Sequence, residues 1–144
     1  MLSLSIDRND SPKFYFSFQD IYGNALEIEP EDLVELTYTV SRMVRGALYP
    51  LEDYTDVPIP TDNWRNSPAE FPAKIVGVSS STDGYNLELF PYTNVDGNWK
   101  SPFSITNTTY YLTATIAYYM SDVALQDAAL YRRSISVKVT TGSV

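Results

Sequence analysis

The residues that most constrain the fold of this chain lie between Thr109 and Thr140, "TYYLTATIAYYMSDVALQDAALYRRSISVKVT". Tyr110, Leu112, Ala114, Ile116 and Tyr118 occupy one set of alternate positions. Tyr111, Thr113, Thr115, Ala117 and Tyr119 occupy the other. Successive side chains of a strand point to opposite faces, so period-two patterning of this length predicts a half-buried strand. Arg133, Ile135, Val137 and Val139 alternate in the same way with Ser134, Ser136, Lys138 and Thr140. The middle, "SDVALQDAALYRR", is made of helix formers, with Ser121 or Asp122 as a candidate cap. A helix of only about ten residues is marginal without packing. The flanking alternation therefore predicts one β-hairpin with its tip near Ser121–Ala129.

The rest of the chain follows the same period. Phe14, Phe16 and Phe18 face one way and Tyr15 and Ser17 the other. Gly23-Asn24 reads as a turn because both residues tolerate positive φ, and "ALEIE" as a short return strand. In "LVELTYTVSRMV", Leu36, Tyr38 and Val40 alternate with Thr37, Thr39 and Ser41. The β-branched and aromatic residues outweigh a helix starting from a cap at Asp32. Asp83-Gly84 between two β-prone runs is a hairpin signal. "NVDGNW" reads as a further turn, and "MLSLSIDRND" as a leader without basic start or apolar core, unlike a secretory signal.

Residues 46–72 differ. They hold five of the nine prolines, the last at Pro72. Proline cannot donate to a ladder, and a loop this long is uncommon in a compact domain. The segment predicts an ordered excursion with one or two short edge strands, one of them in "YTDVPI". Seven or eight strands spaced by turn signals, with no long amphipathic helix, predict a single all-β domain over 1–144. The expected form is an antiparallel β-sandwich.

The 144 residues include no cysteine and no histidine. Disulfides, thiolate sites, a Cys nucleophile and a His-based triad are therefore excluded. No cofactor is expected. Net charge is −8, which disfavours nucleic-acid phosphate and anionic membrane surfaces as partners. The apolar runs are too short for a membrane helix.

Chemical motifs are few. Asn94, Asp96 and Asn98 surround Gly97 in the manner of a calcium loop but lack its downstream bidentate Glu, so a turn is the better reading. Glu27, Glu29, Glu31 and Asp32, and Glu52, Asp53 and Asp56, form acidic groups expected on solvated loops. Asn107-Thr108-Thr109 matches a glycosylation pattern. The 12 tyrosines suit pleated surfaces and interfaces. Tyr54, Trp64, Trp99, Arg132 and Arg133 are the candidate partner-binding residues. The two tryptophans lie in polar contexts, "TDNWRN" and "DGNWKS", which also suits a carbohydrate-binding or adhesin module. The two arginines are among only ten basic residues.

"TYYLTATIAYYMSD" followed by "RRSISVKV" resembles the final hairpin of immunoglobulin-like and fibronectin-like β-sandwich domains. "EDLVELTYTVSR" resembles an early strand of the same class. With "FYFSFQDIYGNAL", the order is similar to small accessory proteins of tailed-bacteriophage virions, of the capsid decoration, neck, tail or baseplate type. The immunoglobulin disulfide is absent, which argues against antibody-type domains. The resemblance implies a non-enzymatic virion structural protein, made in the host cytoplasm. It would bind other virion proteins and form a homo-oligomer or part of a symmetric assembly.

Overall fold

The computed structural model describes residues 2–9, 12, 14–19, 33–58, 73–75, 87–89, 91, 93–95, 98–121 and 128–142. Among them are eleven strands: β1 (Leu2–Ile6), β2 (Phe14–Phe16), β3 (Leu33–Val44), β4 (Ala47–Pro50), β5 (Val57–Pro58), β6 (Ala73–Ile75), β7 (Leu87–Leu89), β8 (Thr93–Val95), β9 (Asn98–Lys100), β10 (Thr109–Ser121) and β11 (Ala128–Thr141). Also among the described residues, a 3-10 turn spans Glu52–Tyr54. The protein is all-β, and among the described residues there is no α-helix.

The terminal hairpin is the spine. β10 and β11 pair antiparallel from Thr109↔Thr140 to Ser121↔Ala128. Both strands far exceed the usual five or six residues. The length follows from unbroken alternation with no Pro or Gly inside either strand. β3 lies on the other side of β10, with Leu112 opposite Val40 and Ile116 opposite Leu36. Among the described residues the larger sheet has the order β1, β11, β10, β3, β4, and β5 pairs with β3 beside β4. A three-stranded sheet has the order β2, β7, β6, and β8 pairs with β9.

One core joins the two larger sheets. Phe14, Phe16 and Phe18 meet Leu87 and Leu89 from the smaller sheet side, and Leu36, Tyr38, Val40, Tyr110, Leu112, Ile116, Val137 and Val139 from the larger. Phe103 links them, with its ring 5.9 Å from Phe14 and 5.3 Å, edge-on, from Tyr110. Tilted and edge-on aromatic pairs of this kind are the favoured geometries. Burial, and secondarily Tyr54 nearby, pushes the Tyr38 hydroxyl well above its ordinary pKa, so it stays neutral.

Three expectations need correction. The larger sheet is mixed rather than antiparallel, because β1 runs parallel to β11, Leu2 beside Val137 through Ile6 beside Thr141. The leader is thus a strand; its "LSLSI" alternates, and the short run gave too little signal to outweigh a loop. The strand count exceeds eight because short runs outside the expected strands also pair, namely β1, β4, β8 and β9. Gly46 belongs to a hairpin, so the segment 46–72 opens on the first of its expected short edge strands, β4. Arg45 (φ 50°) and Gly46 (φ 80°) form the two-residue turn that returns β3 into β4, with Val44 opposite Ala47. Positive φ at both positions is the twist-matched hairpin turn, and Arg at the first disguises it.

Other expectations fare differently. Val57 pairs with Tyr38 and Pro58 with Thr37, so "YTDVPI" does contain an edge strand. The runs flanking Asp83-Gly84 pair antiparallel as β6 and β7, and β8 pairs with β9; Asp83-Gly84 and Asp96-Gly97 themselves lie outside the described residues. The Gly23-Asn24 turn, "ALEIE", the Glu27–Asp32 acidic group, the excursion from 59 to 72 and the hairpin tip at 122–127 lie outside the described residues.

Candidate partner-binding surface

The pleat of β3, β10 and β11 turns one residue set inward and the other outward. At its centre the outward set is polar. Thr37, Thr115 and Ser134 lie in one row across the three strands, and Thr39, Thr113 and Ser136 in the next. Hydroxyls join β10 to β11: Thr113 Oγ1 and Ser136 Oγ are 2.7 Å apart, Thr115 Oγ1 and Ser134 Oγ 2.8 Å. Cross-strand Thr–Ser pairs of this kind contribute roughly 0.2–1 kcal/mol each to strand pairing.

An ion pair caps the array. Ala117 stands opposite Arg132 on one side and Glu35 on the other. Arg132 Nη2 reaches Glu35 Oε2 at 2.9 Å. The bridge spans β10 over the methyl group of Ala117, which is fully buried although it belongs to the outward set. A larger residue at 117 would lift the guanidinium away. Arg132 remains largely exposed, so the pair contributes little to stability and leaves donors free for a partner.

The five candidate residues are not gathered into one site. Arg132 and Arg133 point to opposite faces: Arg133 is opposite Ile116 on the core side of the sheet rim and half-buried. Its Nη1 makes only a long contact of 3.4 Å to the Arg132 carbonyl. Tyr54 is not a surface residue. It is buried in the core, and its hydroxyl donates to the Lys100 carbonyl at 3.0 Å. This correction has a local cause: the 3-10 turn rotates Tyr54 inward while Glu52 and Asp53 stay exposed. Trp99 lies on β9 opposite Asn94. Trp64 lies outside the described residues.

Two other regions carry polar groups. A cavity of about 850 Å³ opens beside the 3-10 turn, lined by Asn9, Glu52, Asp53, Tyr54 and Lys100 among others. Asp56 is held in place rather than offered: its N–H donates to Thr39 Oγ1 at 2.9 Å, and that hydroxyl lies 3.4 Å from its carboxylate. Among the described residues no group of three His, Cys, Asp or Glu side chains is placed to hold a metal ion. Asn107 of the glycosylation pattern is exposed in a tight turn at φ 51°.

Sequence reasoning missed Glu35 as the partner of Arg132, and Ala117 as the seat of their bridge. The signal was present only in part. Alternation places each residue on the outward face, but the register that brings them into line comes from strand pairing. No protein-family profile, curated protein or solved structure matches this chain.

Proposed function

We propose that the chain is a non-enzymatic structural subunit of a tailed-bacteriophage virion, an immunoglobulin-like or fibronectin-like sandwich that binds capsid, neck, tail or baseplate subunits. The strand distribution carries this reading. β2, β7 and β6 form one sheet, while β11, β10, β3 and β4 are successive neighbours in the other. That division is the one in which a variable-type immunoglobulin sandwich places its B, E and D strands and its G, F, C and C′ strands.

Fold does not fix function, so the surface must carry the rest. The ordered polar side chains of the outward face form an extended array across three strands. Extended faces suit protein partners, whereas small ligands favour enclosed, largely apolar pockets. Arg132 offers a cation from within an acidic molecule of net charge −8, and so suits a carboxylate on the partner.

Particles purified from an infected host and imaged by electron cryo-microscopy test the reading. The expected result is the chain at a fixed, symmetry-related copy number. Abundant chain in the lysate with none in the particles would overturn it. Arg132→Glu is expected to lower incorporation at least severalfold while leaving the fold intact.

A further inference from the structure

The larger sheet has two edges of opposite character. On one, β4 ends in Pro50 and β5 in Pro58, and the 3-10 turn separates them. Proline lacks the N–H that a new strand would need, and interruption of this kind is how proteins blunt an edge. On the other, β1 carries no charge, no proline and no described bulge. Ser3, Leu4 and Ser5 are exposed, and among the described residues no strand lies beyond β1. An unprotected edge on a chain that protects its opposite edge is a pairing surface.

We infer that β1 pairs antiparallel with β1 of a second copy of this chain, across a two-fold axis at Leu4. The five residues "LSLSI" are self-complementary in this register. Leu2 meets Ile6, Ser3 meets Ser5, and Leu4 meets its own counterpart. Apolar residues then lie on apolar residues along the core side, and serine on serine along the outward side. A one-residue slip would set Leu or Ile against Ser, and a two-residue slip would leave only three of the five positions paired, which together fix the register. A closed two-fold contact uses the same patch on both copies. It would join two six-stranded sheets into one and make the hydroxyl-lined face continuous across the pair. The occupant is a second copy rather than an unrelated strand because the match needs nothing beyond β1 itself.

The inference sharpens the assembly reading above by naming one partner, and rests on it only for the use made of the pairing. The absence of native cysteine permits a direct test. In an antiparallel pair, opposed Cα atoms lie ~4.5–5.5 Å apart, within the ~4.4–6.8 Å that a disulfide spans. Leu4→Cys is expected to give a covalent dimer on mild oxidation, with Leu48→Cys on β4 as the control that crosslinks far less. For the unmodified chain, light scattering should show mass rising with concentration towards twice 16.2 kDa. Added salt should strengthen association by screening the repulsion between two acidic copies. Leu4→Lys sets like charges opposite each other and should hold the mass at that of one chain.

Two results would overturn the inference: a Leu4→Cys protein that crosslinks no faster than Leu48→Cys, or an unmodified chain that stays monomeric at every concentration and salt level. Dimers formed through β1 by a chain missing from particles would overturn the virion reading alone. Chain present in particles without β1 crosslinking would overturn the dimer alone.

Discussion

The two faces of the larger sheet are built from the same three strands and differ in almost everything else. Inward, Leu36, Tyr38, Val40, Leu112, Ile116, Val137 and Val139 are buried against the smaller sheet. Outward, Thr37, Thr39, Thr113, Ser136 and Lys138 are half-exposed and Ser134 exposed. Stability rests on the first face, and the second is the one proposed for recognition. Apolar burial is worth roughly 25 cal/mol per Å², whereas exposed hydroxyl and ion pairs return little net free energy. Evolution can therefore alter the outward face at small cost in folding, which suits a surface that must fit a partner.

The contrast can be broken from the inward side first. Leu112→Ala leaves a cavity at a fully buried position and is expected to lower stability by about 2–5 kcal/mol in urea denaturation. A loss below about 1 kcal/mol would mean that the inward face is not the seat of stability. Thr141 sits between the two regimes, as a buried polar residue. Its hydroxyl accepts from the Thr108 N–H at 3.0 Å and donates to the Ile105 carbonyl. Thr141→Val strands both groups and is expected to cost about 1–3 kcal/mol, read as a lowered Tm. It should also speed hydrogen exchange at Thr108.

Tyr38 sharpens the comparison through pH. Its pKa is raised in the folded chain, so the folded state holds its proton longer than the unfolded state does. Its stabilising contribution is complete below the unfolded tyrosine value of about 10 and is lost as pH rises beyond it. Tyr38→Phe should flatten the fall in stability above that pH, measured by thermal melts in alkaline buffers. An unchanged slope would remove Tyr38 as its cause. The smallest effect is expected outward. Arg132→Ala should change stability by less than about 1 kcal/mol, because the guanidinium is largely exposed. A larger loss would show the Glu35 bridge to be structural.

Much of this was legible in the residues. The period of two named the long strands and the inward Phe14, Phe16 and Phe18, and it also implies the opposite facing of Arg132 and Arg133, which the choice of both as partner-binding candidates passed over. That opposite facing follows directly from their adjacency in an extended run. Less legible were short elements. β1 and β4 have only five and four residues, too few for alternation to stand out from a loop. The Arg45-Gly46 turn lacked the Asn-Gly or Asp-Gly signature. Tyr54 was misplaced as a surface residue because its inward turn depends on a 3-10 geometry without a periodic pattern.

The sequence by itself determined which residues of each long strand share a face, because side-chain direction along an extended chain is a local property. It also excluded histidine and cysteine chemistry outright. Only the tertiary structure decided which strands are neighbours. That β1 lies parallel on β11, that Glu35 and Arg132 meet over Ala117, and that one edge is interrupted by proline while among the described residues no strand lies beyond the other all depend on residues far apart in the chain. Non-local pairing is selected by the closing of one common core, and no window of sequence contains that information.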